Sequence, residues 1–384
     1  MKVMIYADFR SPHARGWLEG LRGAGIETVA VSSEVSSVAG VIDPVDAGSK
    51  ARQHFAGGSI PSGGLRASLR SRLTRFQIVH SAVQLYRGRS RRRFLQEQIR
   101  HHNPDLVHAL RLPYEGVSAL SSIEELPVVV STWGQDFTSQ ARHDPLLRFW
   151  YRRVIGQSSG FMADEESDVY RARSYGLSES TPTLVAAGNF GVDSSIFFLD
   201  EPAKEQLVVY ARRATPNNNY KGFLRAAVQV IPRTGAHFVG VGLAGQAAPI
   251  GQAQADKLEL TNDLDRDAFA ALLRRAKVVV SPAYSDGMPN SVLEAISCGA
   301  RVVAGDLPQL RQLKELGLPI ELVDPNDVSA MALAIQNNLL EDELPTATAL
   351  PEIYSIAHNQ IAVPKFYETV AALFQDRARN GGSV

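Results

Sequence analysis

Residues 285–305 read SDGMPNSVLEAISCGARVVAG, and this stretch decides how the second half of the chain folds. The block before it, residues 276–281 (AKVVVS), is rich in β-branched side chains, as expected of a strand that is buried on both faces. Residues 301–304 begin a second run of the same kind. The pattern predicts a strand, a loop, a short helix and a second strand, which is one repeat of a parallel α/β sheet.

The loop between the first strand and the helix has the residues of a turn followed by a helix start. Pro289 biases the residue before it towards extended backbone, and Asn290 or Ser291 suits the N-cap. Gly299 suits the position just after the last helical turn. Open α/β sheets bind ligands outside the carboxyl ends of their strands, and the N–H groups of a helix N-terminus attract anions. We therefore expect an anionic ligand at this loop.

The whole chain has 384 residues, of which 45% are hydrophobic, and its formal net charge is zero. This length allows two domains with a core each, and the balanced charge does not favour a nucleic-acid partner. The single cysteine, Cys298, cannot form an internal disulfide, which favours a cytoplasmic location. The sequence contains neither a signal-peptide pattern nor the roughly 20 apolar residues of a membrane span, so any membrane contact is expected to be peripheral.

Strand and helix patterns alternate from the first residue onwards. Strands are predicted at residues 2–6, 27–31, 106–108, 128–131, 160–163, 207–211, 237–241, 258–260, 278–280, 302–304 and 320–323. The first strand is followed by a loop (ADFRSPHARG) and by a helix that begins at Trp17. We predict an α/β protein with two Rossmann-like doubly wound domains, residues 1–195 and 204–358, and a last helix, about residues 360–384, that completes the first domain.

Two neighbouring stretches depart from this alternation. Residues 52–64 are small and polar and predict a loop. Residues 66–103 contain ten arginines and one acid, Glu97. We interpret them as surface helices with solvated arginines, and the alternative is a basic face at 66–100 for anionic lipid at the inner membrane face or for an acidic acceptor.

Two further motifs lie in the second half. Residues 207–221 (LVVYARRATPNNNYK) place Arg212 and Arg213 at the carboxyl end of a strand, and such cations can neutralise a diphosphate. Residues 240–245 (GVGLAG) fit the glycine spacing of a dinucleotide site, but Pro249 follows closely and no acid stands where a ribose needs one. We interpret the second motif as a turn at a strand end, and no nicotinamide cofactor is expected.

The opening stretch resembles the E-G-x-P-x-x-x-x-E signature of retaining glycosyltransferases of family 4, which have the GT-B fold: two Rossmann-like domains facing each other across a cleft. Other motifs of this family have counterparts in the same order: PDLVHA (104–109), PVVVSTWGQD (127–136), GNFGVDSSIF (188–197) and ARRATPNNNYKG (211–222). The resemblance implies a hexosyltransferase-like enzyme that moves a sugar from a nucleotide-diphosphate donor to an acceptor hydroxyl. The donor would bind the C-terminal domain and the acceptor the N-terminal one.

The resemblance also implies residue roles on the donor side. Asp286 takes the place of the acid that binds the donor sugar, and Glu294 that of the acid that binds the ribose. Arg213, with Arg212 as the alternative register, and Lys221 would neutralise the diphosphate. The remaining donor candidates are Gly16 in the first loop and the signature residues Gly287, Met288, Pro289, Asn290 and Ser291. All of them except Pro289, which has no N–H and instead fixes the turn, offer backbone N–H groups. No metal and no cofactor are expected, because the fixed cations and a helix N-terminus can stabilise the leaving group.

Five residues are candidates for the acceptor side: His13, Arg15, His108, Trp133 and Asp136. The chain departs from the family in having Asp286 where a glutamate is usual and Trp133 where a histidine is frequent. The shorter acid leaves open the alternative of a partner protein that has lost catalysis. A separate alternative is a nucleotide-sugar epimerase of related fold, which would need acids and histidines at the sugar C2. The acceptor, whether a glycan, a lipid-linked or a small molecule, stays open, as do the sugar and the base.

Overall fold

The computed structural model describes residues 1–44, 91–121, 123, 125–133, 136–137, 144–200, 204–248, 251–341, 343, 345 and 350–380. The chain divides into two compact units. Unit 1 consists of residues 1–189 and 360–384, and unit 2 of residues 190–359. The loop predicted at 52–64 and most of the arginine-rich segment lie outside the described residues.

Unit 1 alternates strands and helices in the order expected of a parallel sheet. Its elements are β1 (Lys2–Ala7), α1 (Pro12–Gly23), β2 (Glu27–Ser32), α2 (Arg92–His102), β3 (Leu106–Ala109), a π-helical turn (Leu112–Gly116), α3 (Val117–Leu120), β4 (Val128–Thr132), α4 (Pro145–Gln157), β5 (Gly160–Ala163), α5 (Glu166–Ser174) and β6 (Thr183–Val185). The strand β6, of three residues, is absent from the sequence-based prediction.

Unit 2 repeats the alternation. Its elements are β7 (Glu205–Tyr210), α6 (Tyr220–Thr234), β8 (His237–Gly240), β9 (Leu258–Leu260), α7 (Arg266–Arg275), β10 (Ala276–Ser281), α8 (Asn290–Ser297), β11 (Arg301–Gly305), α9 (Pro308–Glu315), β12 (Ile320–Val323) and α10 (Val328–Leu340). The last helix, α11 (Ile356–Arg379), begins in unit 2 and continues through residues of unit 1.

Within the described residues, each unit contains one six-stranded sheet in which every pairing is parallel. The order is β2-β1-β3-β4-β5-β6 in unit 1 and β12-β11-β10-β7-β8-β9 in unit 2. The second order is that of doubly wound nucleotide-binding folds. The direction of winding reverses between β7 and β10, so the loops that follow these two strands flank the crevice where such sheets bind ligands.

Each sheet has a core of its own, built from the strands and the helices that cover them. In unit 1 the aromatic rings of Tyr6, Tyr151 and Phe161 are fully buried. In unit 2 Phe223 on α6 packs between Tyr210 and Phe238, with ring centroids 4.9 and 5.8 Å away. These close-packed cores fix the positions of the carboxyl ends of the strands, and therefore the positions at which the loops begin.

The helix α1 begins earlier than the sequence predicts. It starts at Pro12 rather than at Trp17, because a proline preceded by Ser11 is well suited to the first helical position. His13, Arg15 and Gly16 therefore lie on the helix and not in a loop. Gly16 suits this position of the helix because Asn189 packs closely against it. A Cβ at position 16 would lie only 3.2 Å from the Asn189 Cα.

The signature helix α8 differs from the prediction at its start and agrees with it at its end. Pro289 with extended backbone is the N-cap and Asn290 is already helical, so neither Asn290 nor Ser291 caps the helix. Gly299 follows the helix with a φ of 76°, as its residue type predicts. Lys204 joins this end to the end of α7, since its Nζ donates to the carbonyl oxygens of Cys298 and, at 2.6 Å, Arg274.

The glycines of residues 240–245 form a turn, as predicted. The strand β8 ends at Gly240, and Gly242 and Gly245 have φ values of 74° and 76°. The Gly242 N–H group donates to the Asn262 carbonyl, which closes the turn on the chain after β9. This geometry is not that of a helix opening on the third glycine.

We expect Gly305→Ala to destabilise unit 2 by at least ~2 kcal/mol. Gly305 ends β11, and a Cβ there would overlap the carbonyl oxygen of Ala283, which is backbone and cannot turn aside. Thermal and urea denaturation measure the change in the free energy of unfolding. The matched control is Gly251→Ala, where no described residue apart from the chain neighbours lies within 4 Å of a new Cβ. Equal stability of the two variants would contradict the close approach at Gly305.

Candidate functional site

The candidate site lies at the carboxyl edge of the unit 2 sheet, where the winding reverses. Arg212 follows β7 and Asp286 follows β10, and these strands are neighbours. The Arg212 Nη1 lies 2.5 Å from the Asp286 Oδ2. Only 14% of the arginine side chain and 17% of the aspartate side chain are exposed, so water screens this ion pair weakly.

Arg212 is held by further contacts on both sides of the ion pair. Its Nη1 lies 3.5 Å from the Ser281 hydroxyl oxygen on β10, and its Nη2 lies 3.4 Å from the Asn218 side-chain oxygen. Arg213, the first choice from the motif, has an exposed side chain. Lys221 is the second residue of α6 and is exposed too, with its Nζ 6.0 Å from the centre of the Tyr220 ring. The structure thus brings Arg212, and not Arg213, next to Asp286.

Three consecutive asparagines explain the shape of the loop that carries Arg212. Asn217 donates from its side chain to the Ser285 carbonyl at 2.7 Å and accepts from the Tyr284 N–H through its own carbonyl. Asn218 donates to the Arg213 carbonyl at 3.0 Å. Asn219, with a φ of 52°, caps α6 and donates to the Pro325 carbonyl. The run that the sequence shows only as polar therefore ties together the loops after β7, β10 and β12.

The signature residues that precede α8 are packed into the unit. Gly287, Met288 and Pro289 are buried, and Asn290 and Ser291 are partly buried at the first turn of the helix. The Gly287 N–H group lies 3.1 Å from the carboxylate of Asp286, so the first backbone donor of the loop faces the acid beside it.

Glu294 lies on the second turn of α8, between apolar positions. Burial raises the pKa of its carboxyl to about 7, and the charge of Arg266, at the start of α7, lowers it in part. Asp286 and Glu294 are thus two acids in different surroundings: one is ion-paired, and the other is a partly buried group that changes protonation near neutral pH.

Two of the predicted acceptor-side residues meet at the carboxyl edge of the unit 1 sheet. The rings of His13 on α1 and Trp133 after β4 lie 5.7 Å apart, centre to centre. Arg15 on the same helix donates to the carbonyls of Phe9 and Arg10 at 3.2 and 3.3 Å. His13 is exposed and Trp133 is partly buried, so both remain open to a ligand.

The other two acceptor-side predictions are corrected by burial. His108 is fully buried, and its ring nitrogens lie 2.6 Å from the Tyr367 hydroxyl and 2.5 Å from the Ser131 hydroxyl. Burial lowers its pKa to about 3, so the ring is neutral and structural. Asp136 is buried as well, and its carboxylate accepts from Arg111 and from the Trp133 N–H, both at 3.2 Å. Both side chains are therefore enclosed by protein, and neither is exposed at this edge of the sheet.

A charged cluster that sequence reasoning missed lies on the same edge of unit 1. Arg111 follows β3 and pairs with Asp136, and the buried Glu115 in the π-helical turn accepts from the Ser33 hydroxyl at 2.6 Å. Burial raises the pKa of Glu115, although the Ser33 hydrogen bond and the Arg111 charge oppose the rise. The signal in the sequence was the polar pair of Arg111 and Glu115 directly after a predicted strand.

We also searched the rest of the described chain for metal-binding clusters, grooves and membrane-spanning helices. Among the described residues, no three His, Cys, Asp or Glu side chains are grouped so that they could hold a metal ion. A surface groove of about 600 Å³ in unit 2 is lined by other residues, among them Glu205, His237, Glu259 and Arg275. None of the helices in the described residues is long and apolar enough to span a membrane.

Comparison with known proteins agrees with the motif-based resemblance. Residues 205–342 match the family described as glycosyl transferases group 1. The putative teichuronic acid biosynthesis glycosyltransferase TuaC of Bacillus subtilis (strain 168) is 25% identical over 300 residues, which are 73% of this chain and 69% of that protein. The D-inositol 3-phosphate glycosyltransferase of Rhodococcus opacus (strain B4) is 27% identical over 212 residues, 50% of this chain and 47% of that protein.

Solved structures with the same fold cover nearly the whole chain. Sucrose-phosphate synthase from Thermosynechococcus elongatus superposes with a TM-score of 0.62 at 16% identity, covering 99% of this chain and 98% of its own. Anabaena Alr3699/HepE in complex with UDP superposes with a TM-score of 0.60 at 16% identity over both whole chains. The predicted GT-B fold is confirmed by these neighbours, and the predicted enzyme class, a glycosyltransferase, by the family match.

We expect Glu294→Gln to stabilise the protein by about 1–3 kcal/mol at pH 8 and by less than about 1 kcal/mol at pH 5. The folded pKa of about 7 exceeds the ordinary value of 4.5, so the stability of the wild type falls as the pH rises from about 4.5 through 7. Glutamine keeps the shape without the buried charge. Thermal denaturation at both pH values measures the difference.

The control for this experiment is Glu315→Gln, at an exposed position at the end of α9. It is expected to change stability by the same small amount at pH 5 and pH 8. A Glu294→Gln protein that is no more stable than the wild type at pH 8 would show that the carboxyl is already ionised at low cost.

Proposed function

We propose that this chain, a group 1 glycosyltransferase, transfers a sugar from a UDP-sugar to an acceptor hydroxyl with retention at the anomeric carbon. The observation that carries the proposal is the Arg212–Asp286 ion pair at the point where the winding of the unit 2 sheet reverses. A cation and an acid at this point suit the two ends of one donor, a diphosphate and a sugar. The start of α8 lies in the same loop and adds backbone donors.

Uracil is the base we propose for the donor. The support comes from structural neighbours: Anabaena Alr3699/HepE was solved in complex with UDP and, separately, with UDP-glucose. In our proposal Glu294 accepts hydrogen bonds from the ribose hydroxyls, for which its carboxyl must be ionised. A pKa near 7 makes this group sensitive to its ligand, because binding ribose favours the ionised form.

Arg212 is the arginine that we propose for the diphosphate, with Lys221 as its partner. The support for Arg212 over Arg213 is its position: it is mostly buried and points to the site, whereas Arg213 is exposed. Lys221 is exposed on the first turn of α6, where a flexible ammonium can follow a phosphate. In the free protein Asp286 balances the charge of Arg212, and a bound diphosphate would share that arginine.

Asp286 is proposed to hold the donor sugar through its hydroxyl groups. The Arg212 contact uses one carboxylate oxygen, and the other accepts from the Gly287 N–H. A carboxylate has about four lone-pair positions, so sugar hydroxyls can donate to the same oxygens without breaking the pair. The short aspartate side chain keeps the carboxylate close to Arg212, and this restricts where a sugar can bind.

The reaction follows from this arrangement. The bond between the anomeric carbon and the diphosphate oxygen breaks, and the acceptor oxygen bonds to that carbon on the same face. The acceptor proton passes to the leaving phosphate oxygen, so neither Asp286 nor Glu294 acts as a nucleophile. The developing negative charge is stabilised by Arg212, Lys221 and the N-terminus of α8, without a metal ion.

The acceptor is proposed to bind at the carboxyl edge of the unit 1 sheet. His13, Arg15, Trp133 and Arg111 lie there, and the Trp133 and His13 rings offer a surface on which a sugar ring can stack. A hydroxyl-bearing acceptor, whether a glycan, a lipid-linked molecule or a small molecule, suits these groups. Gly16 contributes through close packing with Asn189 rather than through an exposed amide.

The proposed donor is tested by nucleotide binding. We expect UDP, and not GDP, ADP or dTDP, to stabilise the protein, by about 2.7 kcal/mol at a concentration of 100 times its dissociation constant. The shift should be lost in Glu294→Gln and Lys221→Ala. A protein that none of the four nucleotides stabilises, or variants that keep the full shift, would contradict the proposed site.

A turnover assay in the same series separates an enzyme from a partner protein that has lost catalysis. We expect release of labelled sugar from UDP-glucose or another UDP-sugar, with the same rate in the presence of EDTA. Binding of UDP without release or transfer from any UDP-sugar favours the second alternative. Loss of the rate in EDTA, restored by a divalent cation, would refute the metal-independent step.

The two arginines are compared directly by substitution with lysine. We expect Arg212→Lys to lower kcat/KM by about 10-fold to 100-fold, because lysine cannot contact Asp286, Ser281 and a phosphate at once. Arg213→Lys should change kcat/KM by less than about threefold, since an exposed cation in high dielectric contributes little. Circular dichroism confirms folding of both. A larger loss of kcat/KM in Arg213→Lys than in Arg212→Lys would instead show that Arg213 neutralises the diphosphate.

A further inference from the structure

Gln309 is a buried glutamine outside every motif discussed so far. It is the second residue of α9, after Pro308 at the first helical position, and only 3% of it is exposed. A glutamine that is this deeply buried needs hydrogen-bond partners, because an unpaired buried amide loses its hydrogen bonds to water without replacement. Its partners show which part of the molecule it serves.

Both partners of Gln309 are carbonyl oxygens of the signature loop. Its side-chain nitrogen donates to the Asp286 carbonyl at 2.9 Å and to the Gly287 carbonyl at 2.7 Å. The two protons of one NH₂ group are thus used on two successive peptide groups. The side chain of Asp286, in turn, pairs with Arg212 on the next loop.

This double hydrogen bond fixes the direction of two backbone N–H groups. A trans peptide points its C=O and its N–H in opposite directions, and the chain contains no cis peptide among the described residues. With the carbonyls of Asp286 and Gly287 turned towards Gln309, the N–H groups of Gly287 and Met288 must point away from it. The Gly287 N–H accordingly lies against the Asp286 carboxylate, on the other side of the loop.

We propose that Gln309 is a positioning residue for the donor: it orients the Gly287 and Met288 N–H groups towards the sugar and the phosphate next to it. This inference rests on the proposed function. The requirement is for a donor group at the side-chain end, because two carbonyl oxygens face it. An ionised glutamate of the same length could only accept hydrogen bonds, so its two oxygens would face the two carbonyl oxygens without a proton between them. A protonated glutamate could donate one hydrogen bond.

The matched variants are Gln309→Glu and Gln309→Met, with Asn338→Leu as the control. Asn338 is a buried amide of unit 2 on α10 that donates to the Glu321 carboxylate and the Ala334 carbonyl, far in sequence from the loop. All three variants remove buried amide hydrogen bonds and should lower Tm. Only the two variants at position 309 remove the hydrogen bonds that orient the signature loop.

The experiment compares dissociation constants for UDP-glucose and for UMP by titration calorimetry. At pH 8 we expect both position-309 variants to bind UDP-glucose at least ~10-fold more weakly than the wild type, and UMP within about threefold of it. UMP lacks the sugar and the second phosphate that these N–H groups would contact. The Asn338→Leu protein should bind both ligands as the wild type does.

A second measurement compares the UDP-glucose dissociation constant of each variant with that of the wild type, as a ratio, at pH 8 and at pH 6. In the Gln309→Glu protein only a protonated carboxyl can donate to a carbonyl, and burial opposite two oxygens favours the protonated form. The ratio should therefore shrink at pH 6 for Gln309→Glu and stay constant for Gln309→Met. Taking the ratio removes the effects of Asp286, Glu294 and the Asp306–Arg311 ion pair, which variant and wild type share.

Three results would overturn the inference. Wild-type affinity for UDP-glucose in Gln309→Met is one. Equal losses for UMP and UDP-glucose, which a merely structural role would give, are another. Loss of UDP-glucose affinity in Asn338→Leu to the same degree is the third. Failure of the wild type to bind any UDP-sugar would instead refute the proposed function, and this inference with it.

Discussion

The ion pair between Arg212 and Asp286 is possible only because a parallel sheet brings the carboxyl ends of its strands to one edge. The two residues are 74 positions apart in the chain, yet the strands before them, β7 and β10, are direct neighbours. This neighbourhood exists at the single place where the winding reverses, so the helices on either side diverge and leave the loops room for a ligand. The site therefore depends on strand order first and on residue type second.

Loops at such an edge have no ladder to satisfy their backbone groups, and in this chain side-chain amides supply the missing partners. Asn217 holds the Ser285 carbonyl, Asn219 holds the Pro325 carbonyl, and Gln309 holds two carbonyls of the signature loop. Each of these bonds joins a loop to an element that is distant in sequence. Amides are suited to this work because they carry a donor without a charge that would disturb the nearby ion pair. The loops are held in place without regular secondary structure.

Strand positions were largely predictable from the sequence, and side-chain partners were not. The bounds of β5, β9 and β12 are those predicted, because short runs of mainly apolar residues between polar residues or proline are a local signal. The motif order likewise predicted the fold. The start of α1 at Pro12 was missed although it is a local feature. The burial of His108 against Tyr367 and the choice of Arg212 over Arg213 depend instead on contacts between residues more than 60 positions apart. Such contacts leave no periodic trace in a single sequence.

The two acids of the signature differ for the same reason. Asp286 follows a strand at the reversal point and forms an ion pair with an arginine from the neighbouring loop. Glu294 lies eight residues later on a helix whose neighbouring side chains are buried and apolar, and the only charge assigned to it, Arg266, is too weak to offset burial. Their surroundings therefore separate them into an acid that is ion-paired and an acid that ionises near pH 7. An acid of the second kind is costly to a fold that binds nothing, and the cost falls when a ligand with hydroxyl groups offers it hydrogen bonds. Stability alone would therefore favour an uncharged residue at this position of an otherwise apolar helix.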